Sequence, residues 1–181
     1  MQSPMWNFPS KVLERAKKIK LLLLDVDGVL TDGGIILTGD GDEIKVFSVL
    51  DGMGIKLLQN AGVEVGILSG RHSSVVIHRA KELGIELLYQ GELVKLHAFE
   101  KILKEKGLTA EEVAYAGDDW LDIPLLKRVG LAIGVPNAWP PVNDFVHYIT
   151  TKEGGKGAVR EICELILTAK GLWDTFLKNY L

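Results

Sequence analysis

The sequence predicts an α/β fold, a Rossmann-like doubly wound parallel sheet with helices on both faces, and three observations carry that expectation. Short apolar runs rich in Leu, Ile and Val recur along the chain, as strands buried on both faces require. Amphipathic segments of helical length alternate with them, the signature of β-α-β connections. Glycines at Gly62, Gly84 and Gly107 stand where those segments end, each able to close a last turn in the left-handed conformation.

With 181 residues the chain can fill one well-buried core and is short for two, so a single domain over 1–181 is expected. A makeup of 47% hydrophobic and 25% charged residues places it among soluble globular domains rather than disordered or membrane chains. The net charge of -3 leaves no electrostatic footprint for nucleic acid, and Lys17, Lys18 and Lys20 read as a solvated helix surface. The lone cysteine, Cys163, lies among Ile162, Leu165 and Ile166 as a buried small hydrophobe. One cysteine forms no internal disulfide, so a reducing cytoplasm is expected. No run has the length of a membrane span and no signal peptide is visible, so no membrane partner is expected. His72, His78, His97 and His147 lack the spacing of a zinc site.

In chain order, the segment 1–20 carries an amphipathic helix from Ser10 to Ile19, with Ser10 as its cap and Val12, Leu13, Ala16 and Ile19 on one side. Leu21 to Leu24 and Val26 form the opening strand, and Asp25 and Asp27 sit at its end, before a turn at Gly28. A hairpin over 34–50 follows: Ile35 to Leu37 and Ile44 to Val49 are β-prone runs joined by Gly39-Asp40-Gly41-Asp42. A helix from Gly54 to Asn60 leads to a strand over Val63 to Leu68. A helix from Ser73 to Leu83 leads to a strand at Leu87 to Tyr89, and a helix runs from Leu93 to Lys106. Thr109 and Glu112 have capping-box spacing, but the strand Val113 to Ala116 follows at once, so only a turn fits. A short helix at Pro124 to Arg128, strands at Leu131 to Val135 and Val146 to Ile149, and a helix from Ala158 to Lys170 complete the alternation. The tail 172–181, with Trp173, Phe176, Leu177 and Tyr180, is too apolar to hang free and should pack on its own body or on another subunit.

The chemistry collects at strand ends. In open α/β sheets ligands bind outside the carboxyl ends of the strands, where Asp25 and Asp27 fall, although an Asp-x-Asp also serves simply to start a turn. A calcium loop of the EF-hand type needs Gly at its sixth position and Glu at its twelfth. Counting from Asp25 gives Leu30 and Ile36, and counting from Asp40 gives Lys45 and Asp51, so both fail. Ser69-Gly70-Arg71 follows the next strand and offers a hydroxyl and N–H groups at a helix start, an anion site that Arg71 extends toward a second anionic group. Lys95, near the start of the helix after Leu87 to Gln90, supplies a compact cation of the kind phosphate chemistry uses. Gly117-Asp118-Asp119-Trp120-Leu121-Asp122 puts three acids within five residues. At ~4 Å each like-charge pair costs on the order of 4 kcal/mol at an effective dielectric near 20, a conflict that a hard divalent ion resolves. Oxygen ligands suit magnesium better than zinc.

Taken in order, Asp25-Val26-Asp27-Gly28-Val29, Ser69, Lys95 and Gly117-Asp118-x-x-x-Asp122 resemble the four motifs of the haloacid dehalogenase superfamily of phosphatases. Phe47-Ser48-Val49-Leu50-Asp51-Gly52, Ser69-Gly70-Arg71, Tyr89-Gln90-Gly91 and Gly154-Gly155-Lys156-Gly157-Ala158-Val159-Arg160-Glu161 narrow the resemblance, over Ile19 to Gly171, to its members acting on phosphorylated keto-sugar acids. The resemblance implies that Asp25 is the nucleophile, forming an aspartyl-phosphate, and that Asp27 is the general acid and then the base. It implies magnesium held by Asp25, the Asp27 carbonyl and Asp118, supported by Asp119 and Asp122. Ser69, Gly70 and Lys95 would hold phosphate, and Arg71, His72 and Asp51 would contact the rest of the substrate. Some relatives carry a basic residue where this chain has Leu50, and a longer cation where it has His72. The substrate implied is 3-deoxy-D-manno-octulosonate 8-phosphate, a lipopolysaccharide inner-core precursor, with a nine-carbon keto-sugar acid 9-phosphate as the nearest alternative.

Only about thirty-five residues separate the acidic pair from the second parallel strand, too few for a cap domain, which needs at least ~50. The resemblance therefore implies a capless enzyme whose homotetramer covers each site with a neighbouring chain, the hairpin and the apolar tail being the elements suited to it. Two readings from other classes stand beside this one. A receiver-type signalling domain has its acidic pair on the first strand and its acceptor on the third, which the Asp-x-Asp here does not match. A non-catalytic assembly subunit would not need the intact motif set. The Gly154 to Gly157 loop either belongs to the site or simply admits the final helix.

Overall fold

The computed structural model describes residues 7–178. The chain runs α1 (Ser10–Ala16), β1 (Leu21–Leu24), β2 (Ile36–Leu37), β3 (Glu43–Ile44), α2 (Val49–Asn60), β4 (Glu64–Leu68) and α3 (Ser74–Leu83). It continues through β5 (Leu87–Tyr89), α4 (Lys95–Lys106), β6 (Val113–Ala116), α5 (Ile123–Leu126), β7 (Leu131–Gly134), β8 (Tyr148–Ile149), α6 (Ala158–Ala169) and α7 (Trp173–Lys178). Six strands form one parallel sheet in the order β5-β4-β1-β6-β7-β8, and β2 and β3 pair antiparallel as a separate hairpin. The expected doubly wound sheet is thus present.

The leucines of β1 explain why this strand is central. Leu21 to Leu24 are all fully buried, paired on one side with β4 and on the other with β6. Because strand side chains alternate, Leu22 and Leu24 enter a core with Ile55, Leu58, Ile162 and Ile166 of α2 and α6. Leu21 and Leu23 enter a second core with Phe99, Ile102 and Leu125 of α4 and α5. At roughly 2 kcal/mol for each fully buried Leu side chain, β1 anchors both layers. From β1 the chain moves outward through β4 and β5, then returns to β6 on the other side. That reversal opens a crevice at the carboxyl ends of β1 and β6.

Several boundaries differ from those read from sequence. The first helix begins on Pro9, not on a Ser10 cap. Pro9 has φ -60 and its carbonyl accepts from the N–H groups of Val12 and Leu13, while Ser10 is already helical. α2 starts at Val49 instead of Gly54, because the Ser48 hydroxyl accepts from the Asp51 N–H and caps it. The second hairpin strand therefore stops at Ile44, and Leu50 and Asp51 lie in the first turn of α2 rather than at the hairpin base. Thr109 and Glu112 do form a capping box on a single 3-10 turn. Leu172, Trp173 and Phe176 pack against the core, with the Arg160 guanidinium 5.8 Å from the Trp173 ring centre, so this part of the tail packs on its own body. Tyr180 lies outside the described residues.

Candidate active site

A cleft of ≈ 180 Å³ at the carboxyl ends of β1, β4 and β6 is lined by Asp25, Asp27, Ser69, Gly70, Arg71, Leu93, Lys95, Asp118, Asp119, Leu121 and Asp122. Size alone does not single it out. An open groove of ≈ 710 Å³ beside α1, lined by Lys11, Arg15 and Glu111 among others, is larger, but its charged side chains are all exposed, whereas Asp25, Ser69, Lys95 and Asp122 of the cleft are buried.

Asp25 continues the β1 ladder, its N–H donating to the Ala116 carbonyl, so its carboxylate is fixed by the sheet. Lys95, the first residue of α4, is only 2% exposed. Its Nζ lies 2.9 Å from Asp25 Oδ1 and donates to Asp122 Oδ1 at 2.6 Å and to the Tyr115 hydroxyl at 3.0 Å. Burial works to lower the Lys95 pKa, but Asp25 and Asp122 outweigh it and hold it above the ordinary lysine value. Asp122 organises the loop after β6. Oδ1 accepts from Lys95 and from Tyr115 Oη at 2.5 Å, and Oδ2 accepts from the N–H groups of Asp118 and Asp119 at 2.8 and 3.0 Å.

Carboxylate oxygens of Asp25, Asp118 and Asp122 lie within 4.8 Å of one another. Burial, followed by repulsion from Asp25, Asp122 and Asp119, pushes Asp118 up to about 8. Burial also raises Asp25, to about 6, against the attraction of Lys95 and with the repulsion of Asp122. With both Asp122 oxygens already hydrogen-bonded, Asp25 and Asp118 are the carboxylates left facing a common point. Their all-oxygen, charge-frustrated arrangement fits a hard divalent cation. Gly28, at φ +91, is needed here because a Cβ would lie 1.9 Å from Asp118 Oδ2.

Ser69 is buried, but it does not sit at the start of a helix as its sequence context predicts. α3 begins at Ser74, with Ser73 as its cap residue. Ser69 still pairs with the β5 edge, donating its N–H to Tyr89 O and accepting from Glu92 N–H, so a loop intervenes. The Ser69 hydroxyl accepts from the Arg71 N–H at 3.3 Å. Asp119 lies on the rim and caps its own turn, accepting from Trp120 N–H at 2.7 Å.

Two expected substrate contacts fall elsewhere. Asp51 is 1% exposed and accepts from the Arg160 N–H at 2.7 Å, capping α6 away from the cleft. His72 is exposed and does not line the cleft. Both misplacements follow from local geometry: the early start of α2 turns Asp51 inward, and the loop after Ser69 turns only Arg71 toward Asp27.

Sequence reasoning missed three groups. Tyr115 in β6 is fully buried beneath Lys95 and Asp122, and as a strand aromatic it gave no signal. Lys45, on the far arm of the hairpin, forms an ion pair with the Asp27 carboxylate. Asn137 donates to the Gly28 carbonyl at 2.8 Å and accepts from the Gly154 N–H at 2.8 Å. The glycine-rich loop does more than admit α6. A Cβ on Gly154 would lie 1.8 Å from Gly28 O, and the Gly155 N–H donates to Val29 O, so this loop buttresses the turn behind Asp25.

Comparisons with known proteins point to one family. A family model of haloacid dehalogenase-like hydrolases matches residues 87–162. The 3-deoxy-D-manno-octulosonate 8-phosphate phosphatase KdsC of Escherichia coli K12 is 45% identical over 163 residues, 90% of this chain and 87% of that protein. A crystal structure of a 3-deoxy-D-manno-octulosonate 8-phosphate phosphatase from Moraxella catarrhalis, in complex with magnesium ion, phosphate ion and KDO, superposes with a TM-score of 0.94. It is 42% identical and covers 96% of this chain and 100% of that one. A probable yrbi family phosphatase from Pseudomonas syringae has a TM-score of 0.94 at 49% identity, covering 95% of this chain and 98% of that one. With its acidic cluster at the sheet's reversal point and a relative this similar along nearly its whole length, the chain belongs to the haloacid dehalogenase-like hydrolase family.

Proposed function

We propose that this chain is a magnesium-dependent phosphatase that releases phosphate from 3-deoxy-D-manno-octulosonate 8-phosphate through an aspartyl-phosphate. The observation that carries the chemistry is the buried Asp25 carboxylate, held at the end of β1 by Lys95 and facing Asp118. The substrate comes from the similarity to phosphatases of that name.

Asp25 attacks phosphorus in line, and the bond from phosphorus to the sugar oxygen breaks as Asp27 gives that oxygen a proton. Water then attacks the aspartyl-phosphate, Asp27 takes its proton, and phosphate leaves with Asp25 regenerated. The Ser69 hydroxyl, the Gly70 N–H and Lys95 hold the phosphoryl oxygens throughout. Asp25, the Asp27 carbonyl and Asp118 would hold a magnesium ion, supported by Asp119 and Asp122, and the bound ion would supply charge neutralisation between anionic nucleophile and anionic phosphate. Arg71 reaches toward the sugar carboxylate.

The open cleft supports a homotetramer in which a neighbouring copy completes the enclosure. The hairpin leaves Ile35, Ile36, Leu37, Ile44 and Val46 between 48% and 67% exposed, an apolar surface suited to association with its own kind. Among the described residues no helix is long and apolar enough to cross a membrane. The free, buried Cys163 accords with a cytoplasmic setting.

Phosphate release across 3-deoxy-D-manno-octulosonate 8-phosphate, a nine-carbon keto-sugar acid 9-phosphate and simple hexose phosphates, with Mg²⁺ or EDTA, tests the reading. The eight-carbon substrate should lead, turnover should vanish in EDTA, and Asp25→Asn should lose at least ~10³-fold. Undiminished turnover by Asp25→Asn removes Asp25 from its role, and a preference for another sugar reassigns the substrate.

A further inference from the structure

Four charged side chains close a ring, and two of them, Asp27 and Arg71, line the cleft. Lys45 Nζ pairs with Asp27 Oδ1 and lies 3.1 Å from Glu43 Oε1. The same Glu43 oxygen accepts from Arg71 Nη2 at 2.8 Å, and Arg71 Nε returns to Asp27 Oδ2 at 3.6 Å. Signs alternate around it, so each charge has an opposite on either side. Two of the four residues come from the hairpin, one from the turn after β1 and one from the loop after β4.

The hairpin's patterning makes Lys45 unusual. Its side chain is 1% exposed, whereas the isoleucine before it, Ile44, is 48% exposed and the valine after it, Val46, 67%. A short, solvated hairpin ordinarily turns its ammonium out and its aliphatic groups in. Burying a lysine is costly without a partner, and the partner here is the carboxylate assigned to proton transfer. Resting on that assignment, we propose that Lys45 is a positioning residue for Asp27: it fixes the orientation of the carboxyl group that, in its protonated form, gives the leaving sugar oxygen a proton, with Glu43 and Arg71 holding Lys45 in register. The hairpin is thereby a working part of the site. Small misplacements of a proton donor are costly, since positioned acid–base groups contribute about 10²–10⁴-fold. An inward charge on a hairpin also discourages edge pairing. That role bears on folding and solubility and is blind to the leaving group.

The test compares kcat/KM, which covers the steps through departure of the leaving group, for two substrates with saturating Mg²⁺. One is 3-deoxy-D-manno-octulosonate 8-phosphate, whose alkoxide needs a proton to leave. The other is p-nitrophenyl phosphate, whose phenolate does not. The variants are Lys45→Met, Lys45→Arg, Glu43→Gln, Asp27→Asn and Asp25→Asn, each checked by thermal melting. Lys45→Met is expected to lose at least about tenfold more on the sugar phosphate than on the aryl phosphate. Asp27→Asn should share that bias, Lys45→Arg should recover most of the loss, and Glu43→Gln should lean the same way by a smaller factor. Equal losses on both substrates for Lys45→Met, with the bias intact in Asp27→Asn, overturn the proposal and leave Lys45 structural. If Lys45→Met does not fold, absence of bias in Glu43→Gln overturns it. Activity in Asp25→Asn, or no bias in Asp27→Asn, instead overturns the phosphatase mechanism on which the proposal rests.

Discussion

Replacing Asp118 with asparagine should make the metal-free protein more stable while destroying its activity. In the fold Asp118 titrates at about 8, up from an ordinary value of 3.8, because it is buried and faces Asp25, Asp122 and Asp119. At about 1.4 kcal/mol per tenfold change in proton affinity, ionising it in the fold costs at most about 6 kcal/mol. At pH 7 the folded carboxyl stays largely protonated while the unfolded one is ionised, and the penalty relative to a neutral side chain is at most about 4 kcal/mol. Part of the repulsion is shared with Asp25, and the group retains some solvent, which together halve the figure to about 2 kcal/mol. The sign follows from linkage: the unfolded chain gives up its proton first, so the penalty grows as pH rises from about 4 and levels off above about 8. Asp118→Asn should therefore raise the unfolding temperature in EDTA by about 4–8 °C at pH 7. The gain should be less than half as large at pH 5. Mg²⁺ at ~100 times its dissociation constant should stabilise the parent protein by about 2.7 kcal/mol and the variant by far less. Parallel thermal melts at pH 5, 7 and 8, with EDTA or Mg²⁺, measure all of these. An Asp118→Asn protein less stable than its parent in EDTA at pH 8, or equally stabilised by Mg²⁺, refutes the reasoning that Asp118 is charge-frustrated and metal-facing.

The apparent Mg²⁺ affinity of the unmodified protein, followed by calorimetry, should rise with pH through about 6 and on to about 8 as Asp25 and Asp118 release their protons; a flat profile contradicts it. Lys95→Met removes the cation between Asp25 and Asp122, so stability should drop by about 3 kcal/mol in denaturant titrations and phosphate release by more than ~10²-fold. Gly154→Ala forces a methyl against Gly28 O and should cost at least ~2 kcal/mol and depress kcat, because the turn behind Asp25 must shift. Asp51→Ala strips a cap from α6 and should lower stability by about 1–2 kcal/mol with KM unchanged for the sugar phosphate; a raised KM would return Asp51 to the substrate.

The β1 leucines show how much of the fold could be read without coordinates. A run apolar at every position admits only a strand covered on both faces, and the alternation around it admits only helices as the covers. The acids, Ser69 and Lys95 were legible because each sits where such a strand must end or the next helix begin. Boundaries were less so. Pro9 took the cap position that propensity gave to Ser10, Ser48 started α2 at Val49, five residues before the expected Gly54, and that earlier start carried Asp51 out of the site and into the cap of α6.

What the sequence determined by itself was a parallel sheet with a pair of aspartates at the end of its first strand, since periodicity and residue order are properties of the chain alone. Only the tertiary structure decided which charges meet. Lys45 and Asp27 are eighteen residues apart, Asn137 and Gly28 a hundred and nine, and Tyr115 reaches Lys95 from the neighbouring layer. Such contacts depend on how a hairpin folds back and how loops from separate strands crowd one sheet edge. Their energies fall off over a few ångströms, while the local pattern of the sequence carries no measure of that distance.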